Sequence, residues 1–217
     1  MSTIALLVRH AHTDVLGRRL TGRLPGIRLS TEGRAEVQRL RTALAAPLAA
    51  VYSSPLERAL ETARPLAAAR NLDPQVREDL NEVDYGHWTG LSFDELAALP
   101  AWQEYNRHRS TAPVPQGERA ADVQSRIMTA LQVLRVRHEG QAFAIVSHAE
   151  VIRSAVLSCA GVSLDLFHTI DIDTASVTGV ELAPTPRLLF VNRRAPCARP
   201  IASVSIEASG LLGERSQ

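Results

Sequence analysis

Three nitrogen-rich side chains, Arg9, His10 and His12, follow an apolar run near the start of the chain. The run, over residues 3–9, is short and continuously apolar, which is typical of a strand buried on both faces of a parallel sheet. Charged and imidazole groups are uncommon at the end of such a strand, because they are mostly exposed. The three residues are therefore candidates for metal binding, for attack on a substrate, or for a plain surface position.

Two further short apolar runs end near residues of the same kind. The runs over residues 47–54 and 141–148 are each followed by a helical pattern, which is the strand, loop and helix order of an α/β fold. Ligands bind at the carboxyl ends of strands in open α/β sheets, where loops and helix N-termini converge. The side chains expected to meet at that edge are Arg9, His10, Arg58 and His148.

The expected cluster combines cations with helix N-termini, an arrangement that suits a phosphate group. Helix N-termini attract anions, and guanidinium groups match phosphate oxygens in geometry and charge. Arg58, in the first turn of its predicted helix, is mildly unfavourable there unless an anion binds. A neutral histidine whose other ring nitrogen is held by a hydrogen bond can attack phosphorus and form a phosphohistidine.

A transfer of this kind also needs a carboxylic acid nearby. The leaving alkoxide requires a proton, and a water molecule must later be activated. Glu82 and Asp84 are the candidates, and both lie in the segment LNEVDYGHWTG. The neighbouring run of Arg107, His108 and Arg109 is interpreted as a solvated face rather than a substrate clamp.

The elements that would position these residues form a three-layer α/β fold. We expect a mostly parallel central sheet with helices on both faces, in a single domain over residues 1–217. Two apolar runs near the end of the chain predict an antiparallel strand pair at the sheet edge. The predicted ranges are about 83–117 for an irregular lid segment, 175–182 and 187–193 for the strand pair, and about 195–217 for a poorly patterned tail.

Capping residues mark where the helices are predicted to begin. Ser54, Pro55 and Glu57 have the spacing of a capping box with proline at the first helical position. A second helix is predicted to begin at Ser30 or Thr31. A long helix within residues 117–140 has one apolar face, formed by Val123, Ile127, Leu131 and Leu134.

The composition is that of an ordinary folded domain, and it excludes several functional classes. The chain has 217 residues, a formal net charge of +1 and a mean hydropathy of -0.05. So small a charge argues against nucleic-acid binding through bulk electrostatics, and no apolar run approaches the roughly 20 residues that span a bilayer. Cys159 and Cys197 make neither a disulfide framework nor a zinc site. Because the N-terminus also lacks a basic leader, we expect a cytoplasmic protein.

Six motifs along the chain together resemble the histidine phosphatase superfamily, also called phosphoglycerate mutase-like. They extend from residue 4 to about residue 160, in the order and at the spacing that the family shows. The motifs are LLVRHAHTD, LTGRLPGIRLSTEGR, VYSSPLERALETA, LNEVDYGHWTG, PQGE and VSHAEVIRS.

The resemblance implies a role for each matching catalytic position. His10 corresponds to the family's phosphate-accepting nucleophile, and Glu82 corresponds to its proton donor. Arg9, Arg58 and His148 correspond to the three side chains that grip the phosphoryl group. The implied reaction is hydrolysis of a phosphomonoester of a small metabolite, with no cofactor and no metal.

Further positions match the family's substrate contacts, with two small departures. Thr21 and Gly22 fall where the family has a polar residue and a glycine that approach the substrate. Ala149 lies where a backbone N–H usually meets the phosphate. Ala11 and Ala149 replace glycines that commonly follow the two active histidines, and we expect a modestly wider turn to tolerate this change.

A larger departure concerns one phosphate contact. Many family members carry an asparagine that reaches the phosphate, and Leu16 stands at that position here. The nearby cations Arg18 and Arg23 are the expected substitutes.

Three other functions stay open at this point. A phosphomutase would return the phosphoryl group to a second hydroxyl, but the stretch between Glu82 and His148 looks shorter than in the glycolytic mutases, which favours hydrolysis. A metal hydrolase could use His10 and His12, but barrels of that kind typically need about 250 residues. A non-catalytic phosphate-binding module is the third. The expected partner is a small-molecule phosphate ester, without nucleic acid or membrane, and a homodimer is one option for assembly.

Overall fold

A six-stranded sheet forms the centre of the protein, in a computed structural model that describes residues 2–44 and 46–195. The strand order is β3-β2-β4-β1-β5-β6. The first four strands of that order are parallel, and β5 and β6 are antiparallel at one edge, as predicted. The bounds are Thr3–Arg9 for β1, Val51–Ser53 for β2, Gln75–Val76 for β3, Ala142–Ser147 for β4, Val177–Leu182 for β5 and Arg187–Arg193 for β6.

Helices cover both faces of this sheet, which confirms the three-layer α/β architecture. Six α-helices and three short 3-10 helices lie within the described residues, and the predicted tail falls almost wholly outside them. The α-helices are α1 (Thr31–Ala43), α2 (Glu57–Ala68), α3 (Phe93–Ala97), α4 (Pro100–Arg107), α5 (Ala120–Arg137) and α6 (Ala149–Ala160). The 3-10 helices are Glu78–Leu80, Gly86–Trp88 and Leu164–Thr169.

The continuous apolar run of β1 follows from its central place in the sheet. Alternate side chains of a strand point to opposite faces. Leu6 and Val8 pack with α1 and α2 on one face, and Ala5 and Leu7 pack with α5 and α6 on the other. Both faces are buried, so the positions from Ile4 to Val8 are all apolar before the strand ends at Arg9.

The predicted start of α1 is confirmed, and that of α2 is wrong. Ser30 caps α1, since its hydroxyl accepts a hydrogen bond from the Gly33 N–H at 3.0 Å. Helix α2 begins only at Glu57, with Leu56 at the capping position and no side-chain cap. The Ser54 hydroxyl is instead 2.8 Å from Nε2 of His148, and the Glu57 carboxylate accepts from the Gly26 N–H. Tertiary partners therefore outcompete the local capping box.

The irregular segment over residues 83–117 contains α3 and α4 and is held by aromatic packing. Trp102 lies against Trp88 at a ring-centroid distance of 5.3 Å, and Trp88 lies 5.4 Å from Tyr105. Tyr85, Trp88 and Tyr105 are buried. A cluster of aromatic rings in edge-to-face and tilted contact stabilises its segment beyond simple area burial, so these residues hold the segment in a defined conformation.

Helix α1 comes into backbone contact with the loop that follows β1. Gly33, in the first turn of α1, is buried, and a Cβ at this position would lie 2.1 Å from the carbonyl oxygen of His12. The Ser30 N–H donates to the same carbonyl at 3.0 Å. Only a glycine allows this close approach, which fixes the residues that immediately follow His10.

Gly33→Ala tests this contact, and we expect it to lower the free energy of unfolding by at least about 2 kcal/mol, because a Cβ would displace the His12 carbonyl. A glycine-to-alanine change at an unstrained helix position stabilises instead, by roughly 0.4–1 kcal/mol. Urea denaturation measures the difference, with Gln38→Ala on the exposed face of α1 as the control. An unchanged or higher stability of the Gly33→Ala variant would contradict the assigned contact.

Candidate functional site

A cleft of about 230 Å³ opens at the carboxyl ends of the parallel strands. Strand β1 ends there at Arg9, and β4 ends there at Ser147. Six of the eight predicted site residues line it, namely Arg9, His10, Thr21, Gly22, Glu82 and Ala149. Arg58 and His148 lie behind this lining, with 1% and 0% of their surface exposed. The strand ends thus bring the predicted residues together.

His10 is held as a neutral imidazole with one nitrogen available. Its Nδ1 lies 2.8 Å from the carbonyl oxygen of Ala11, so Nδ1 carries the hydrogen and donates it. Nε2 then keeps its lone pair. Burial lowers the pKa of His10 well below its ordinary value, and the nearby charges of Arg58 and Arg9 lower it further. A neutral ring with a fixed tautomer has the properties of a nucleophile.

The loop that carries His10 is anchored through its backbone on both sides. The His10 N–H donates to the Ser147 carbonyl of β4 at 2.9 Å. The Ala11 N–H donates to the Thr62 hydroxyl of α2 at 3.0 Å, and the His12 N–H donates to the buried carboxylate of Glu36 at 2.8 Å. Since no backbone strain arises at Ala11, the glycine common in the family at this position is not required.

The two arginines present buried N–H groups without protein partners. Arg9 donates from Nη1 to the Ile172 carbonyl at 2.6 Å, and Arg58 donates from Nη2 to the Gly22 carbonyl at 2.7 Å. The Nε atoms of both residues and Nη1 of Arg58 are buried and make no hydrogen bond within the protein. Buried unpaired donors on a cation are costly, and a bound anion would satisfy them.

His148 joins the second imidazole to this cluster. It precedes the first residue of α6, and its ring centroid lies 5.3 Å from that of His10. Nε2 is 2.8 Å from the Ser54 hydroxyl, whereas Nδ1 is buried without a hydrogen bond and lies 3.8 Å from the Glu82 carboxyl. Burial and then the charge of Arg58 lower the pKa of His148 well below 6.5.

Of the two candidate carboxylic acids, the structure places only Glu82 at the cleft. Burial, and then the negative charge of Glu150, raises the pKa of Glu82 to about 7, so that its carboxyl group can hold a proton near neutral pH. The Val83 N–H donates to its Oε1 at 2.9 Å. Asp84 does not line the cleft, and its carboxylate accepts from the Gly86 N–H and lies 3.9 Å from Arg23.

One residue at the cleft was missed, because the interpretation of Arg109 as part of a solvated face is wrong. Arg109 is only 3% exposed, and its guanidinium lies between the rings of Phe167, at 3.8 Å, and Tyr105, at 4.5 Å. It pairs with Glu150 and donates to the Asn106 side chain. Phe167 is distant along the chain, so the local pattern gave no sign of this stack. Arg107 and His108 are exposed, as expected.

The expected substitutes for the missing asparagine are also wrong. Leu16 lines the cleft, but neither Arg18 nor Arg23 does. Arg23 is occupied elsewhere, since it donates to the Glu82 carbonyl and pairs with Glu118. Arg19 is the nearby cation that lines the cleft, at an exposed position.

The alternative of a metal centre on His10 and His12 finds no ligand set in the described part of the chain. There, no three side chains of histidine, cysteine, aspartate or glutamate are grouped so that they could hold a metal ion. The two rings also serve different neighbours. Nδ1 of His12 lies 2.8 Å from the Ser30 hydroxyl, whereas Nδ1 of His10 bonds to the Ala11 carbonyl.

Comparison with known proteins identifies the family. A model of the histidine phosphatase superfamily, branch 1, matches residues 5–192. The chain belongs to this superfamily. Phosphoserine phosphatase 1 of Hydrogenobacter thermophilus is 30% identical over 185 residues, which cover 82% of this chain and 85% of that protein. A 2,3-bisphosphoglycerate-dependent phosphoglycerate mutase of Rhizobium etli is 31% identical over 167 residues, or 71% and 78% of the two chains.

The fold is also similar to that of known proteins in this size range. The structure of YhfR from Bacillus stearothermophilus superimposes with a TM-score of 0.82 at 30% identity, over 88% of this chain and 96% of that one. The chain spans half the length of several mycobacterial relatives at 34% identity, one of them the bifunctional protein Rv2228c of Mycobacterium tuberculosis. Histidine phosphatases thus include relatives named both as phosphatases and as mutases.

The raised pKa of Glu82 predicts how stability depends on pH. Unfolding returns the pKa of this carboxyl group from about 7 to about 4.5. The free energy of unfolding of the wild type therefore falls as the pH rises through this window, by an amount on the order of 3 kcal/mol. Glu82→Gln stays neutral and lacks this loss. Urea unfolding at pH 5 and pH 8 should therefore show that the free energy of unfolding of the variant rises relative to that of the wild type as the pH rises. Parallel pH profiles would contradict the assignment.

Proposed function

We propose that this histidine phosphatase hydrolyses a phosphate monoester of a small metabolite through a phosphohistidine at His10. The observation that carries the proposal is the pairing of a buried neutral imidazole with buried arginine N–H groups that have no partner in the protein. A dianionic phosphoryl group would satisfy those donors and stand next to the free Nε2 atom. The 30% identical phosphoserine phosphatase of Hydrogenobacter thermophilus supports a hydrolase of this kind.

The first half of the reaction forms a covalent intermediate. Nε2 of His10 attacks phosphorus, the bond from phosphorus to the ester oxygen breaks, and Glu82 transfers its proton to the departing oxygen. Arg9 and Arg58 bind the non-bridging oxygens as charge accumulates on them. His148, in the neutral tautomer whose Nε2 accepts from the Ser54 hydroxyl, donates its Nδ1–H to the same group.

The second half releases the product. Glu82, now ionised, takes a proton from a water molecule, which attacks phosphorus as the bond to Nε2 of His10 breaks. The products are an alcohol and inorganic phosphate, and the enzyme returns to its starting protonation state. A carboxyl group with a pKa of about 7 suits both tasks at neutral pH, because it both donates and accepts a proton readily.

Backbone groups at the cleft complete the proposed phosphate site. Ala149 is the first residue of α6, where N–H groups have no acceptor within the helix and the helix dipole favours an anion. Thr21 and Gly22 line the opposite side. The Gly22 carbonyl holds Arg58 by a hydrogen bond, so this loop also positions the arginine.

The cellular setting stays a prediction. We infer a cytoplasmic protein with one domain over residues 1–217, supported by the half-buried free thiol of Cys159. Cys197 lies outside the described residues. Within those residues, no helix is long and apolar enough to cross a membrane. A homodimer is likewise an untested prediction.

His10→Ala should reduce turnover of a phosphomonoester by at least about a thousandfold, because it removes the attacking atom. Rapid quenching of the wild type with a 32P-labelled ester should trap an acid-labile, base-stable phosphoenzyme that the variant lacks. His12→Ala is the matched control and should form the phosphoenzyme. Full turnover by His10→Ala would contradict the mechanism.

Mutase activity is the second candidate function, because a mutase of Rhizobium etli is 31% identical. A product assay separates it from hydrolysis. Exposed side chains at the cleft mouth, Leu16 and Phe93, leave water access to the phosphoenzyme. With 3-phosphoglycerate and a trace of 2,3-bisphosphoglycerate, we expect release of free phosphate. Rapid isomerisation without free phosphate would favour the mutase.

The pH profile of kcat/KM should fall above about pH 7, as Glu82 loses its proton. His10 is neutral over the whole range near neutrality, because its pKa is depressed, so it does not contribute to this alkaline limb. Glu82→Gln should lower kcat/KM by roughly a hundredfold or more and abolish the limb. A limb that persists unchanged in the variant would assign it to another group.

A further inference from the structure

One side of the cleft is apolar and partly exposed. Val15, Leu16, Leu20, Phe93 and Trp102 line it, and we call this set the apolar wall. Leu16 and Phe93 are each 40% exposed, which places them among the few large hydrophobic residues at the surface of the described chain. Exposed apolar side chains that gather at a cleft are typical of ligand contacts.

The apolar wall is held in place by backbone pairing. The segment that carries Leu16 and Leu20 pairs with the segment before α3, through a bridge between Arg19 and Ser92. The Leu20 N–H donates to the Leu91 carbonyl at 2.8 Å, and the Gly90 N–H donates to the Leu20 carbonyl at 2.7 Å. Ser92 then caps α3 through a capping box. Backbone hydrogen bonds therefore fix the position of the apolar wall, although its side chains remain partly open to solvent.

The cleft lining also includes the polar residues Asn106, Arg109 and Glu150, and the charges of Arg109 and Glu150 are paired with each other. Glu150 accepts hydrogen bonds from Arg109 and Arg153, and Arg109 also donates to Asn106. These groups satisfy one another, so they offer little to a charged leaving group. Arg19 is exposed at the rim, where water screens its charge. Of the buried nitrogens at the cleft without a hydrogen-bond partner, those of Arg9, Arg58 and His148 belong to the phosphate site. Nε of Arg109 belongs to a guanidinium that lies against the rings of Phe167 and Tyr105.

We propose that the alcohol portion of the substrate carries an apolar chain or ring that packs on the apolar wall. This inference rests on the proposed function, because it concerns the group that leaves from phosphorus. The ester oxygen would lie at Glu82, and the carbons beyond it would extend past Leu16 towards Phe93 and Trp102. Leu16, which stands where an asparagine is common in the family, then contacts the leaving group instead of the phosphate.

The test compares n-hexyl phosphate with ethyl phosphate, because the two esters have equally poor leaving groups and differ by four methylenes. Each methylene that is fully buried on binding should raise kcat/KM roughly fourfold. We therefore expect kcat/KM to be at least about tenfold higher for the hexyl ester. Leu16→Ala and Phe93→Ala should each reduce this preference about threefold or more. Leu166→Ala, a truncation of a leucine that is 52% exposed outside the cleft, should leave the preference unchanged.

Binding measurements separate this inference from the proposed function. Hexylphosphonate and ethylphosphonate cannot be hydrolysed, and calorimetry on the wild type should give at least a tenfold lower Kd for the hexyl compound. Tight binding of hexylphosphonate without turnover of any ester would refute the hydrolase and leave the apolar contact standing. Equal kcat/KM for the two esters, or phosphoserine turned over tenfold better than hexyl phosphate, would overturn the apolar leaving group.

Discussion

The buried guanidinium of Arg58 is the constraint on which the site depends. The side chain is almost fully buried, and only one of its three nitrogens has a hydrogen-bond partner within the protein. Its charge lowers the pKa of both His10 and His148, and it holds the Gly22 loop through the Gly22 carbonyl. An unsatisfied buried charge lowers the stability of the folded state, and a bound anion would offset this cost. The sheet edge is therefore a preformed anion-binding site. Burial is the largest cause of the lowered pKa of the two histidines, and Arg58 adds to it while also forming the anion site.

Helices α1 and α2, which lie on one face of the sheet, hold that arrangement in place. Thr62 of α2 accepts from the Ala11 N–H and donates to the Arg58 carbonyl, so one hydroxyl connects the nucleophile loop with the arginine helix. Glu36 of α1 holds the His12 N–H, and Thr174 donates to the same carboxylate. Catalytic geometry depends on such supporting contacts, because small displacements of a nucleophile cost large factors in rate.

Different parts of the cleft lining would serve different parts of the substrate, since charged groups would bind the phosphate and apolar groups would contact the alcohol portion. The phosphate site supplies charge, Arg109 and Glu150 supply paired polar groups, and Leu16 and Phe93 supply an apolar surface. Arg109 is buried against two aromatic rings and pairs with the partly exposed Glu150. After burial, the charge of Glu150 is the next cause that raises the pKa of Glu82. The proton donor is thus tuned by a residue next to Ala149, at the start of α6.

The sequence by itself determined five of the six strands, the two apolar faces and the strand ends, because β1 and β4 are buried on both sides and their apolar runs stop where the cleft begins. The two-residue strand β3 is exposed and has no apolar run that would predict it. Motif spacing also identified His10, Arg58, Glu82 and His148, which the structure brings to one edge. The tertiary structure alone decided the role of Ser54, whose hydroxyl binds His148 instead of capping α2. It also decided the burial of Arg109 against Phe167, since a stack between distant segments leaves no local pattern.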